Sequence, residues 1–180
     1  QLGEATIIEW QQTKLIRTDA DIKTAANLWC KNKKEAILKY GHISDWNTTQ
    51  VKDMSQLFYR KYQFNDDISN WDVSNVTDMV YMFRYSPFNQ PIGDWDTSSV
   101  KSMNSMFSGS NSFNQFIGNW DTSSVTNMRY MFYSDINFNQ DLSGWCVQNI
   151  DDQPFWFGQD ANSTWVNDET KQPKWGEDCD

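Results

Sequence analysis

Residues 71–83 are WDVSNVTDMVYMF, and variants of this phrase occur three more times in the chain. The variants are WNTTQVKDMSQLF from Trp46, WDTSSVKSMNSMF from Trp95 and WDTSSVTNMRYMF from Trp120, while WCVQNI from Trp145 begins a fifth copy. The five tryptophans are spaced 25, 24, 25 and 25 residues apart. A fixed period of about 20–50 residues is typical of a stacked repeat array, because one repeat alone cannot bury its apolar side.

A second fixed element lies between the phrases. It is FNDDISN from Phe64, FNQPIGD from Phe88, FNQFIGN from Phe113 and FNQDLSG from Phe138. The single 24-residue spacing arises because the segment between the phrase and the second element, RYSP (84–87), has four residues where the corresponding segments have five. We therefore place this segment in a surface connection. The recurrent asparagine of this element forms either an internal asparagine ladder or a row of exposed contacts.

The spacing inside each repeat predicts its secondary structure. Val76, Met79 and Phe83 follow i, i+3, i+7 spacing, which predicts one to two helical turns, whereas FNQDLSGW predicts a short strand and a turn. The expected fold class is therefore an α/β repeat solenoid: a short, leucine-rich-repeat-like stack of about four 25-residue coils. All seven methionines recur in register, which favours a core position for them over an adaptable binding surface.

The open ends of such an array require caps, so we divide one structural domain into four parts. Residues 1–17 are an N-terminal arm, either an entering strand or a docking arm, and residues 18–44 are a helical N-terminal cap. Residues 45–145 are the repeat solenoid, and residues 146–180 are an aromatic-rich C-terminal cap. The apolar face of the first cap helix is predicted from i, i+3, i+4, i+7 spacing to contain Ile22, Ala25, Ala26 and Trp29.

The three cysteines predict one disulfide. Cys146 stands where the other repeats have Asp or Asn, and Cys179 is the penultimate residue. We predict that these two pair and close the C-terminal cap onto the last coil, which leaves Cys30 as a buried, unpaired thiol.

Charge and motif content exclude several classes of function. The net charge of −9 argues against a nucleic-acid partner and an anionic membrane surface, since both require a basic footprint. No apolar run approaches a membrane span, so we expect no membrane insertion by this segment. His42 is the single histidine, and the sequence contains no nucleophile triad, metal-ligand cluster or phosphate loop. We therefore predict no enzyme activity, no cofactor and no metal site.

The repeat phrase followed by FNQPIGDW resembles the 25-residue repeat of BspA-like leucine-rich-repeat surface proteins, which is also found in mycoplasma surface lipoproteins. DADIKTAANLWCKNKKEAILKYGHISDW (19–46) resembles the segment before the repeats in secreted members, and WCVQNI with PKWGEDC resembles their terminating segment. The resemblance implies an extracellular or cell-surface location, a role in adhesion or protein binding, and no catalytic residues. Because the chain begins at Gln1, we also expect a processed product or an excised part of a larger surface protein.

The leading functional hypothesis is a non-catalytic extracellular binding module that recognises a protein or a glycan. The alternative is a structural spacer within a larger surface protein. Candidate contact residues are those that vary between repeats: Tyr59, Arg60, Lys61, Arg84, Tyr85, Phe116, Arg129, Tyr130 and Tyr133. Tyr and Arg are enriched at binding hot spots, and a basic-aromatic patch on an acidic chain suits an acidic ligand. The alternative for these residues is ordinary surface stacking of Tyr on Arg, and local packing for Phe116.

Overall fold

The computed structural model describes residues 14–179, and its N-terminal part combines two helices with two short strands. In chain order these are β1 (Ile16–Thr18), α1 (Ile22–Lys31), α2 (Lys33–Tyr40), a 3-10 helix (Ile43–Asp45) and β2 (Asn47–Gln50). β1 and β2 pair in parallel, with Ile16 opposite Asn47 and Thr18 opposite Gln50. The predicted arm (1–17) lies mostly outside the described residues, and its last two residues belong to β1.

The apolar spacing of the first helix determines how it packs. The four residues predicted to form its inner face are all buried: Ile22, Ala25, Ala26 and Trp29. In α2, Ala36 and Tyr40 are buried, whereas Ile37 is 41% exposed. Residues four apart share a helix face, whereas adjacent residues lie about 100° apart around the axis. Gly41 follows the helix with a φ of 77°, a conformation that glycine adopts without steric cost.

The α/β leucine-rich-repeat-like solenoid of about four coils, predicted from the repeat, is wrong. The one sheet of the described chain is the two-stranded β1–β2 pair, and the named helices lie at its two ends. The last of these are α3 (Ser163–Val166) and a 3-10 helix (Glu169–Lys171). Between β2 and α3, a stretch that the structure describes throughout, there is neither a helix nor a strand longer than one residue.

Consecutive β-turns replace the predicted helical turns. In the first repeat, the N–H groups of Leu57, Tyr59 and Lys61 each donate to the carbonyl three residues earlier, as in β-turns. Gln56 and Arg60 have φ values of 59° and 56°, which interrupt a right-handed helix every fourth residue. The i, i+3, i+7 spacing of apolar residues is therefore satisfied by a run of turns, which buries the same side chains without forming a helix.

The same left-handed pair recurs in each repeat. Tyr81 and Tyr85, Ser105 and Gly109, and Tyr130 and Ser134 all have positive φ values. Only Gly109 among them is a glycine, although glycine adopts this conformation most readily. The geometry is thus imposed by bonding to the neighbouring repeats and not by local residue preference.

Backbone hydrogen bonds join each turn run to the next. The N–H groups of alternate residues donate to carbonyls in the following repeat, for example Met79 to Ser102 at 3.0 Å and Met103 to Asn127 at 2.9 Å. Single-residue parallel bridges join Asp53 to Asp78, Asp78 to Ser102, and Ser102 to Asn127. Because the bridged residues occupy equivalent positions, successive repeats pack in register.

Two phenylalanine columns fill the interior of the repeats. The first contains Phe58, Phe83, Phe107 and Phe132, and the second contains Phe64, Phe88, Phe113 and Phe138. Consecutive ring centroids are 5.7–5.8 Å apart in the first column and 5.8–6.5 Å apart in the second. Within a repeat the two rings stack at 3.6–4.0 Å. The seven methionines are all 0% exposed, which confirms their predicted core position.

The hydrogen bonds of the tryptophans at the start of the repeats differ where the four-residue link shortens the repeat. The indole N–H of Trp71 donates to Ile43, and those of Trp120 and Trp145 donate to Ile92 and Ile117, at 2.9 Å in each case. Trp95 follows the four-residue link, and its buried indole N–H has no hydrogen-bond partner. The shortened link therefore coincides with one local defect in an otherwise regular set of bonds.

The asparagines form the predicted ladder, but it lies at the surface and not in the interior. The side-chain oxygens of Asn65, Asn89 and Asn114 each accept the backbone N–H of the equivalent asparagine in the next repeat, at 2.8–3.0 Å. The last oxygen, on Asn139, accepts from Lys171 Nζ at 2.9 Å. The ladder therefore satisfies backbone donors along the surface and ends on the C-terminal cap.

The C-terminal cap continues the backbone pattern after the sequence repeat has ended. The N–H groups of Tyr130, Phe132 and Ser134 donate to carbonyls 25 residues later, at 2.8–3.2 Å, and Trp156 and Asp160 have positive φ values. A fifth turn run therefore follows the fourth, which the sequence did not predict. The predicted disulfide between Cys146 and Cys179 is confirmed, with Cα atoms 5.5 Å apart, and Cys30 is a free thiol.

Gly158 allows the cap to close the phenylalanine columns. It occupies the position that a phenylalanine has in earlier repeats, and a Cβ there would lie 2.9 Å from the Trp165 ring. Trp165 instead packs edge-on against Phe132 and Phe138, with centroid distances of 5.3 and 4.8 Å. One fully buried indole thus ends both columns and shields them from water.

We predict that Phe107→Ala, in the middle of the first column, lowers the free energy of unfolding by about 2–5 kcal/mol, because its neighbours cannot fill the cavity. Phe116→Ala, at a ring that is 50% exposed, is the matched control and should change it by less than about 0.5 kcal/mol. Urea denaturation of both variants measures the difference. Equal stability of the two would place the column outside the core.

We predict that Gly109→Ala destabilises the protein by at least about 1 kcal/mol, because φ is +68° and a Cβ would lie 2.4 Å from the Tyr85 ring. Ser134→Gly, at the equivalent position one repeat later, should cause no loss of stability, because its φ is 57°. Thermal unfolding of the pair tests the left-handed positions directly. A destabilised Ser134→Gly variant together with a neutral Gly109→Ala variant would contradict this assignment.

Candidate functional site

A groove of about 570 Å³ lies where α1 meets the first repeat. The helical side contributes Cys30, Lys31 and Lys33, and the repeat contributes Arg60 and Lys61. The two cap helices bring the first three residues together, because α2 begins two residues after α1 ends. Four cationic side chains therefore line one groove of a protein whose net charge is −9.

One carboxylate, that of Asp66, also lines this groove, and both of its oxygens already accept hydrogen bonds from the protein. Asp66 accepts the indole N–H of Trp29 at 3.0 Å on one oxygen and Lys33 Nζ at 2.6 Å on the other. Within the described part of the chain, Lys31, Arg60 and Lys61 form no ion pair. The groove therefore has an excess of positive charge that an anionic ligand could neutralise.

A tyrosine–arginine cluster adjoins the groove, and it contains Tyr59, Arg60, Tyr81, Arg84 and Tyr85. The guanidinium of Arg60 lies 5.1 Å from the Tyr59 ring centroid and 5.8 Å from that of Tyr85. Arg84 lies 4.9 Å from both Tyr81 and Tyr85 and donates to the Tyr85 hydroxyl at 3.2 Å. These cation–π contacts hold the two guanidinium groups in defined positions.

The local backbone explains this arrangement. Arg60, Tyr81 and Tyr85 all occupy left-handed positions of the turn runs. The Tyr85 ring lies against Gly109, where no side chain separates the ring from the backbone. Tyr62, which is 69% exposed, lines both the basic groove and a shallow depression of about 300 Å³ beside Tyr85. The groove and the cluster thus form one continuous surface.

The predicted contact residues divide into four places. Tyr59, Arg60, Lys61, Arg84 and Tyr85 lie together at the surface just described. Arg129 lines a different groove, with the acidic residues Asp151 and Asp152. Tyr130 and Tyr133 contact each other and the ring of Trp156 near the C-terminal cap. Phe116 is half exposed and packs beside Gly93 and Gly118, and it has no ring contact with either aromatic group in the described chain.

Several residues of the surface were not among the predicted contact residues, notably Lys31, Lys33 and Tyr81. Tyr81 precedes Tyr85 by four residues, a spacing that matches the two left-handed positions of a turn run. The docking of α1 on the repeats places Lys31 in the same groove as Lys61, and no local sequence pattern indicates this placement.

Cys30 is unsuited to be a nucleophile although it lines the groove. Burial is the largest cause that raises the pKa of its thiol to about 11, and Asp66 raises it further, against opposing effects of Lys61 and Lys33. At neutral pH the residue is therefore a thiol, and the reactive thiolate is scarce.

His42 has structural contacts. Its ring packs edge-on against Trp29 with centroids 4.9 Å apart, and its Nδ1 lies 2.7 Å from the Ser44 hydroxyl. The structure places no group of three or more metal-ligating side chains together within residues 14–179. In the same range every helix is too short or too polar to span a bilayer.

Asp135 is the one carboxyl of the described chain that burial perturbs strongly. It is 0% exposed, and neither carboxylate oxygen makes a hydrogen bond of normal geometry. Burial raises its pKa to about 8, although the nearby N–H groups of Asn137 and Phe138 favour the charged form. The equivalent residues in the two preceding repeats, Ser86 and Ser110, donate hydrogen bonds to backbone carbonyls. Asp135 lines none of the grooves described, so we assign it a packing position and not a site.

The comparisons with known proteins identify a family. Over residues 26–115 and 84–171 the chain matches the family described as "Mycoplasma protein of unknown function, DUF285". The two matches together cover well over half of the chain, and the protein belongs to this family. The mycoplasma part of the resemblance inferred from the repeat phrase is therefore confirmed. No curated protein and no solved structure matches the chain significantly.

We predict that Asp135→Asn removes a pH dependence of stability. The pKa of Asp135 is about 8 in the folded protein and near 3.9 in an unfolded chain, so its contribution is most favourable below pH 4 and is lost as pH rises towards 8. The parent should therefore lose free energy of unfolding relative to the variant over this window, by up to a few kcal/mol. Urea denaturation at pH 4, 6 and 8 measures the loss. Asp135→Ser, with the residue of the preceding repeats, is the second variant, and parallel pH profiles for all three proteins would contradict the prediction.

Proposed function

We propose that this chain is a non-catalytic, extracellular binding module that recognises an acidic protein or glycan at a cell surface. The observation that carries the proposal is the set of three cations without ion pairs, Lys31, Arg60 and Lys61, in one groove of a chain with net charge −9. An anionic ligand would be repelled by most of the surface and attracted at this groove, which favours a single orientation.

The adjoining tyrosine–arginine cluster supports recognition and not only attraction. Arg60 belongs both to the groove and to the cluster, so the ligand would meet a guanidinium already held between Tyr59 and Tyr85. Preorganised side chains lose less conformational freedom on binding. Tyr and Arg are also the residues that most often dominate binding energy.

The extracellular location is part of the proposal and has two supports. The Cys146–Cys179 disulfide fits an oxidising compartment. The repeat phrase and both flanking segments also resemble BspA-like surface proteins, whose members are presented outside the cell. From that resemblance we propose a shared function in adhesion or recognition, and we do not propose a leucine-rich-repeat fold.

We predict that Lys31→Glu combined with Lys61→Glu weakens binding of an anionic probe at least tenfold, a change of about 1.4 kcal/mol, because two attractive charges become repulsive. Surface plasmon resonance with heparin and with polyglutamate measures this, and the two probes distinguish a glycan from a protein preference. Binding of the parent should weaken as salt shortens the Debye length below about 10 Å. Arg84 is not substituted, because its Nε is buried and its guanidinium packs on Tyr81. A substitution there would remove packing together with the charge, and a loss of binding could not be attributed to either one.

The matched control is a double variant, Lys52→Glu with Lys101→Glu, which changes the same charge at two exposed lysines outside the groove. It should bind both probes within about twofold of the parent. Equal losses in the two double variants would indicate net charge and not the groove. If the parent binds neither heparin nor polyglutamate, the result would instead favour a structural spacer.

A further inference from the structure

A second surface feature lies at the opposite end of the repeats, where four aromatic side chains form a C-terminal aromatic cluster: Tyr130, Tyr133, Phe155 and Trp156. Trp156 stacks on Tyr133 with centroids 5.4 Å apart and on Phe155 with centroids 4.9 Å apart. Tyr130 packs edge-on against all three rings. Phe155 is 56% exposed and Trp156 is 43% exposed, so the cluster presents ring surface to solvent.

A groove of about 510 Å³ begins at the outer side of this cluster. Phe155 and Pro154 form its apolar side, while Arg129, Asp151 and Asp152 line it with charges of both signs. The Phe155 ring is held by Tyr130 and Trp156 and also borders the groove, so it is a fixed aromatic wall.

The polar side chains of this groove are available to a ligand. In the described part of the chain, Asp151, Asp152 and Gln153 make no side-chain hydrogen bond, and Arg129 forms no ion pair. Their neighbours Asn127 and Asn149 are by contrast engaged, with the N–H of Arg129 and the carbonyl of Ser123 respectively. Donors and acceptors therefore converge on the groove without satisfying one another.

We infer that this groove binds a neutral saccharide. A sugar ring has an apolar face of C–H groups that can pack on Phe155, and hydroxyl groups around its edge that both donate and accept hydrogen bonds. Carboxylates, an amide and a guanidinium provide the complementary partners, in the pattern of an apolar wall with a few convergent polar groups. The two carboxylates outnumber the one guanidinium, which disfavours an anionic ligand on a chain of charge −9.

This inference does not depend on the proposed function, because the two grooves share no lining residue, and one favours an anionic ligand whereas the other favours a neutral one. Trp156 has a left-handed φ of 56°. Residues at the equivalent position in every repeat have the same conformation, so that feature belongs to the architecture.

The test is a panel of neutral tetrasaccharides of glucose, mannose, galactose and N-acetylglucosamine, screened on the full chain by saturation-transfer NMR at millimolar concentration. At least one should bind, and isothermal titration should then show at least a tenfold loss of affinity for Phe155→Ala. Gln153→Ala, at an exposed position of the groove, should also weaken binding without affecting the fold. Phe116→Ala is the matched control, because that ring is exposed to a similar extent, 50% against 56%, but lies outside the groove.

The outcomes separate the two sites. Binding that is lost in Phe155→Ala or Gln153→Ala and retained in Lys61→Glu supports the saccharide groove, whatever the result with anionic probes. Absence of binding by every tetrasaccharide overturns the inference. Equal affinity in the parent and both groove variants also overturns it, as does loss in Lys61→Glu, since either result would place the sugar elsewhere.

Discussion

The backbone hydrogen bonds between successive repeats are the constraint on which the structure depends. They hold residues such as Gln56 and Tyr81 in left-handed conformations that cost non-glycine residues about 1–2 kcal/mol each. The stacked phenylalanine columns offset this cost, because each ring buries a large apolar area and is in contact with rings of the repeats on either side. Neither the bonds nor the columns can form in an isolated repeat, so the array is stable only with neighbours and with both ends covered.

The same left-handed positions generate the surface features that carry the functional proposals. Arg60, Tyr81 and Tyr85 in the N-terminal half, and Tyr130 and Trp156 in the C-terminal half, all have positive φ values. Equivalent side chains of adjacent repeats then lie close enough for ring stacking and cation–π contacts. The same left-handed turn positions therefore accompany an interior that is nearly invariant between repeats and a surface whose side chains differ from one repeat to the next.

Both candidate grooves lie where the repeats meet a cap. The basic groove is bounded by α1 and the first repeat, and the saccharide groove by the fourth repeat and the segment that follows Cys146. Within the array each repeat covers its neighbour with an almost identical turn run, which leaves little concavity. At the ends, a different element packs against the array, and the mismatch in shape creates a groove whose charge depends on the cap.

The sequence alone determined the elements whose evidence is local or strictly periodic. These are the period, the methionine core, the inner face of α1, the Cys146–Cys179 bond and the grouping of Arg60, Lys61, Arg84 and Tyr85. Each of these features follows either from residues that recur in register or from a residue spacing that is compatible with only one kind of packing.

The tertiary structure decided what depends on contacts between repeats. Apolar residues at i, i+3 and i+7 fit either a helix or a run of turns, and inter-repeat hydrogen bonds select the turns, so the leucine-rich-repeat-like solenoid was wrong. The fifth turn run does not repeat the sequence phrase, and its position follows from backbone hydrogen bonds to the fourth repeat. The separation of Arg129 from Arg60, and the meeting of Lys31 with Lys61, likewise follow from how the caps dock, which no local pattern encodes.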